Sequence, residues 1–389
     1  MFFVVCVLSF IFCLDVRIQG LELIHVHVLS RHGFRTPLRF FEYDKHKDYE
    51  WPVENGEITP KGMREQYDLG KRLMNRYTKE YKLISPVYNP KHINVFSTNK
   101  NRALSSAQAQ MAGFFSKSKG GFFGKKNKDW PFDWIPIPIH SDKLENDYLL
   151  NVKWNCSKLH QLIEERHNKE EFLMFQRSFD SLFKYVALHT NETINSVVAL
   201  KRVYGTVRVE KQYFGLDQPK WLTDDIFEQM ATVVNRSLNY RFGGPAFGIE
   251  EDLEQIKLRS GHLLYKMIQN MEEMINQKEV PKYVVYNAHD STVVSFANTL
   301  NLGDVILKDG QIDYSASFVI ELWQGDDKYY VKVLYSKNAY ADYEVMTNLI
   351  PGCPDSTNSK LCPFSTFKDR SEKYVLADPL NHCDTTTLY

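Results

Sequence analysis

Arg31, His32 and Arg35 fall within five positions of the stretch "LSRHGFRTP", Leu29 to Pro37, directly after the apolar run "LELIHVHV". Arg102 follows a second such run, "INVFST", which begins at Ile93, and His289-Asp290 follows a third, "KYVVYNA", from Lys282. Three guanidiniums in one place suit a tetrahedral oxyanion, because arginine donates in a planar fork that pairs two oxygens at once. Arg31, Arg35 and Arg102 together would neutralise a phosphate dianion and the charge of its transition state. A histidine among them is a natural nucleophile on phosphorus, since neutral imidazole carries a free lone pair and needs no base. A leaving alkoxide is poor unless protonated, so Asp290, kept protonated, is expected to act as general acid. His289 is expected to be a further donor to the phosphoryl oxygens.

These residues converge only if each closes a strand of one sheet. "LELIHVHVLS" alternates and is β-rich, and the runs at Ile93 and Lys282 read the same way. A helical pattern follows each: one after Thr59-Pro60, an N-cap with proline at the first helical position, one from Arg102 and one in "STVVSFANTL". Strand then helix, three times, predicts an α/β fold with a largely parallel sheet flanked by helices, whose ligand sits outside the carboxyl ends of the strands. Helix starts near Arg35 and Arg102 are expected to add backbone donors. Residues Ser157 to Thr190 and Asp224 to Asn239 carry helical patterns without convincing strands. That predicts an inserted α-helical cap, residues 150–249, over a core of residues 21–149 and 250–389. A long helix is expected from Glu250, and a hairpin from Ser317 with Gly325-Asp326 at its turn.

Composition narrows the setting. With 43% hydrophobic residues in a chain of 389, a large core is available. Basic and acidic residues balance at 48 each, so no global field draws the chain to nucleic acid or an anionic membrane, and anion binding must be local. The apolar run Phe2 to Leu14 is too short to span a bilayer and fits a signal peptide over residues 1–20, although no Lys or Arg precedes it. No later segment is apolar enough to anchor the chain. Cys6 and Cys13 fall in that signal, which leaves four cysteines and predicts two disulfides. Cys353 and Cys362 enclose a short loop and close at small entropic cost; Cys156 then pairs with Cys383. Sequons at Asn155, Asn191 and Asn235 fit a secreted glycoprotein. The Gly-rich basic stretch Lys117 to Trp130 reads as a solvated loop. His25 and His27 form an H-x-H with no third ligand of fitting context, so they are expected to pack on a half-buried strand.

The constellation resembles the histidine acid phosphatases, the secreted branch of the histidine phosphatase superfamily. The signature R-H-G-x-R-x-P is complete as "RHGFRTP", the late H-D pair stands in "NAHDST", and S-T-x-x-x-R stands in "STNKNRALSSAQ". "ITPKGMREQYDLGKRLMNRY" is similar to the helix after the first motif. The resemblance runs from about Leu21 to the C-terminus. It implies a phosphoglycerate-mutase-like three-layer αβα core and hydrolysis of small or peptide phosphate monoesters. It further implies His32 as the phosphorylated residue, Asp290 as proton donor, and Arg31, Arg35, Arg102 and His289 as phosphate ligands, with no metal or other cofactor. The family's disulfide pattern agrees with both pairs above, and its frequent dimerisation leaves a homodimer open. Secretion would end outside the cell or in the lysosome. The chain departs from the family at Phe34, where many members have Asp, and at Phe96, Asn99 and Asn101, where many have Arg, Asp and Asp. These departures bear on substrate preference and pocket support. Two other readings stand beside this one: an inositol-polyphosphate phosphatase with further basic residues in the cap, and an inactive secreted binding protein.

Overall fold

The computed structural model describes residues 20–116, 135–353 and 360–383. The signal sequence and the basic loop from Lys117 lie outside the described residues. One sheet organises the chain: β1 (Glu22–Arg31), β2 (Ile93–Ser97), β3 (Tyr283–Ala288), β4 (Ser317–Gly325), β5 (Lys328–Ser336), β6 (Glu344–Val345) and β7 (Cys362–Pro363). Its order is β2-β3-β1-β4-β5-β6, with β7 also on β5. β2, β3 and β1 run parallel. The sheet is mixed rather than largely parallel, because β4 and β5 form an antiparallel hairpin that adds to the open edge of β1. Gly325 pairs with Lys328 as the last residue of β4, so the hairpin turn is Asp326-Asp327. Asp327 takes a positive φ of 56° in that turn.

β1 is buried on both faces, not one. Val26 and Val28 join a cluster with Leu69, Leu73 and Met111, beneath α1 (Pro60–Met74) and α2 (Asn101–Phe114). Leu29 joins the opposite cluster, with Met267, Val293 and Phe296. Helices thus cover both faces, as strands in parallel pairing require. His25 and His27 are fully buried in consequence, and their Nε2 atoms lie 3.0 Å apart with Asn270 Nδ2 3.2 Å from His27.

Thr59 caps α1 by accepting from the Gly62 amide at 3.1 Å, with Pro60 at the first turn. The helix expected from Glu250 is broken: a turn at Leu253–Ile256, a π-helical turn at Lys257–Gly261, then His262–Ile275. The π turn faces Arg259 inward, where it donates to the carbonyls of Val152 and Arg241. Residues 157–241 contain helices and no strand. Among them is Val197–Arg208, whose pattern sequence reading passed over. They hold their own core around Phe172, Val186, Val203 and Phe227, joined by Phe41 from the loop after β1. Disulfides join Cys156 to Cys383 and Cys353 to Cys362. Of the sequon asparagines, Asn155 and Asn191 are exposed. Asn235 is half-buried, its Oδ1 buried and its amide against Gly310.

Two buried acids meet where the loop after β1 packs on the helical residues 157–241. Asp44 in the loop after β1 and Glu210 in the insertion are 5% and 1% exposed. Burial, then the Asp44 charge beside it, pushes Glu210 up to about 8 from an ordinary 4.5. A raised acid stabilises the fold below its unfolded value and ceases to as pH climbs through its folded value. Stability should therefore fall between about pH 4.5 and 8, by roughly 1.4 kcal/mol per unit for one proton. Urea midpoints across that range check this: Glu210→Gln should flatten the curve, and an equally sloped variant would refute it.

Candidate active site

Three strand ends deliver the candidate residues. β1 ends at Arg31, with His32 next; β2 leads to Thr98 and then Arg102 in the first turn of α2; β3 leads to His289, which caps the helix Asp290–Thr299. β4 runs antiparallel to β1, with Ser317 opposite Ser30, so the segment before it, Ile312 to Tyr314, also arrives here. The loop after β1 lies hard against α1. A Cβ on Gly33 would sit 2.2 Å from Gly62 O, and one on Gly62 would sit 2.1 Å from Phe34 O. Glycine at both positions lets the loop approach that closely. Ser106 Oγ accepts from the Gly33 amide at 3.0 Å, and Glu65 from the Phe34 amide at 3.0 Å.

His32 is 3% exposed. Its Nδ1 lies 2.8 Å from the Gly33 carbonyl, which can only accept, so Nδ1 carries the proton. Nε2 is therefore the lone-pair nitrogen, and Arg102 Nε donates to it at 3.2 Å. Burial, then Arg31, His289, Arg102 and Arg35, holds the imidazole well below its ordinary value, so it stays neutral in acid. The His289 ring centroid is 5.4 Å from that of His32, and its Nε2 is 3.0 Å from Thr98 Oγ1. Burial and Arg102 lower His289 to about 3.

The guanidiniums are held from behind. Arg31, 4% exposed, donates to Ile312 O and stacks 3.9 Å above the Tyr314 ring. Arg35 donates to Thr36 O at 2.8 Å, from an extended segment bridged to Ile58, two residues before the start of α1, so a helix start lies near it as expected. The Nε atoms of Arg31 and Arg35 are both buried and find no acceptor among the described residues. Burial and Arg35 lower Arg102 to about 10, which leaves it cationic.

Asp290 departs from expectation. Burial pushes its carboxyl up, but the charges of Lys201 and Arg31 outweigh that and hold it well below the usual carboxylate range. Arg31 Nη2 stands 3.9 Å from Oδ2. Without ligand the group is ionised, not protonated, because the field of cations that would bind phosphate also acts on it.

Sequence reading missed the supporting residues. Tyr314 backs Arg31; Phe34 stacks on Tyr213 at 4.9 Å and meets Tyr314 edge-on at 5.2 Å. The aromatic at the departing motif position is thus a wedge under Tyr314. Phe96 stacks on Tyr286, and Asn101 donates to Glu57. Thr98 stands inside the quoted "STNKNR" and was legible as a candidate. Lys201 has no local signal, since only the packing of the insertion turns it toward Asp290.

A buried neutral histidine among three arginines, at the carboxyl ends of parallel strands, has the makings of a phosphoryl-binding site. The chain belongs to the histidine phosphatase superfamily (branch 2), whose family model matches residues 22–336. It is 28% identical to human lysosomal acid phosphatase, over 92% of this chain and 79% of that one. It is 26% identical to bovine prostatic acid phosphatase, over 97% and 91%. A Hafnia alvei phytase shares the fold with a TM-score of 0.64 at 17% identity, covering 92% of this chain and 98% of that one.

Proposed function

We propose that this protein is a secreted or lysosomal acid phosphatase that hydrolyses phosphate monoesters through a phosphohistidine. The observation that carries this reading is the His32 Nε2 lone pair, fixed by the Nδ1 bond to Gly33 O and set among three guanidiniums. The phosphoryl oxygens would take the donors of Arg31, Arg35, Arg102 and His289. His32 Nε2 attacks phosphorus and forms the N–P bond as the ester P–O bond breaks. Asp290 gives its proton to the departing oxygen, then takes one from the water that attacks the phosphohistidine, releasing phosphate and neutral His32. An imidazole held neutral by burial and by its cationic neighbours stays nucleophilic in acid, where an ordinary histidine would be protonated. The relatives named acid phosphatases support the reaction, and residues 150–249 would act as a cap that shapes substrate choice.

A chromogenic aryl phosphate assayed between pH 4 and 8 tests the reading. Phosphate release greatest in acid is expected, and no release would leave a binding protein on this fold. The charge that the phosphoryl group needs comes from side chains, so EDTA should leave the rate unchanged. Loss of activity in EDTA, restored by a divalent ion, would add a metal to the mechanism.

A further inference from the structure

Cations near Asp290 exceed what one phosphate needs. Besides Arg31 and Arg102, three more lie within electrostatic reach of Asp290: Lys153, Lys201 and Arg241. Their placement is built into the fold. In the helix that begins at Asp290, Thr292 Oγ1 donates to Leu150 O at 2.9 Å and Asn298 Nδ2 to Phe242 O at 3.0 Å. Arg259, 3% exposed, donates to Val152 O at 2.8 Å and Arg241 O at 3.3 Å. Residues 150–153 and 241–242 are thereby tied to each other and to the Asp290 helix. Lys201 comes from the insertion helix Val197–Arg208. It stands within reach of Arg31 as well as Asp290, Arg241 and Lys153, and burial with those cations lowers it to about 8.

Arg241 is the telling group. Its Nε and one terminal nitrogen are buried and find no acceptor among the described residues. Buried donors are ordinarily satisfied, and an unsatisfied pair on a cation is costly unless an anion completes it. The carboxylate that acts on Arg241 is Asp290, whose role is at the leaving oxygen. Asp252 acts on Arg259 instead. The donor must reach the departing oxygen, so cations beside it other than the phosphate ligands are placed to meet the leaving group.

We infer that Arg241 and Lys201, with Lys153 toward solvent, form a second anion subsite, so that the substrate is a small phosphomonoester whose alcohol portion carries another anionic group. The inference rests on the phosphatase reading above. Three alkyl esters test it: glycerol 3-phosphate, 3-phosphoglycerate and propane-1,3-diol bisphosphate. In the wild type, kcat/KM for the two charged esters should exceed that for glycerol 3-phosphate by roughly tenfold or more, mainly through KM. The larger gain tells whether carboxylate or phosphate is preferred. Arg241→Gln should cut that ratio by about tenfold, Arg241→Lys should keep most of it, and high salt should shrink it. A ratio near one with brisk turnover of glycerol 3-phosphate overturns the subsite alone, as does an equal loss on all three esters in Arg241→Gln. No turnover of any ester, or of an aryl phosphate, overturns the phosphatase reading and takes this inference with it.

Discussion

His32→Ala should abolish hydrolysis, by roughly ten-thousandfold or more, while inorganic phosphate still binds. The two effects separate because different atoms carry them. Nε2 makes the bond to phosphorus, and its removal takes away that lone pair, while His289, whose Nε2 lies 3.0 Å from Thr98 Oγ1, is placed to bind phosphoryl oxygens. Arg31 keeps its perch on Tyr314 and Ile312 O, and Arg35 its bond to Thr36 O, so two of the three phosphate-binding arginines stay in place. Arg102 loses the acceptor for its Nε, and phosphate oxygens can take that bond. Rapid quench of the wild type with labelled substrate should place label on an imidazole, stable to alkali and lost in acid. Label on a serine or carboxylate, or near-wild-type turnover by His32→Ala, would overturn the mechanism. Phosphate binding by calorimetry, retained in the variant, separates lost chemistry from lost folding.

How much of this was legible in the sequence follows from where each signal sits. Arg31, His32, Arg35, Arg102, His289 and Asp290 are readable because each stands just past an apolar run, and the parallel strands β1, β2 and β3 gather such positions at one edge. The antiparallel half of the sheet was less legible: "SFVIELWQGDDKYYVKVLY" announces a hairpin but not which strand it joins, and only its pairing with β1 brings Tyr314 under Arg31. The insertion was least legible. Helical period shows which face of Val197–Arg208 is apolar, yet the orientation of Lys201 depends on how that helix docks. The ionisation of Asp290 was misjudged for a related reason. Burial alone raises a carboxyl, and the opposing charges come from residues distant in sequence, Lys201 and Arg31.

That charge state shapes the second large effect. Asp290→Asn should slow alkyl phosphates on the order of a hundredfold or more and slow nitrophenyl phosphate far less. An alkoxide needs a proton to leave at a useful rate, whereas a nitrophenolate is stable as the anion. Asn keeps the shape and the bond to the Ser291 amide but has no proton to give. In the free protein the cations keep Asp290 ionised, so the proton must enter with the substrate. A phosphomonoester loses its second proton near pH 6, and below that it arrives as the monoanion. Inside the site its phosphate neutralises Arg31 and sets negative charge beside Asp290, which raises the carboxyl until it takes the substrate's proton. The wild-type kcat/KM should then fall above about pH 6, at the second ionisation of whichever ester is used, since kcat/KM reports the free species. Esters of graded acidity check this: a falling limb that moves with the ester's own ionisation is expected. A limb fixed at one pH for every ester would assign it to the protein. Equal slowing of alkyl and nitrophenyl esters by Asp290→Asn, with the pH profile unmoved, would make Asp290 a positioning residue. The proton would then have to come from water or from His289, and a neutral His289 held near 3 is poorly suited to supply it.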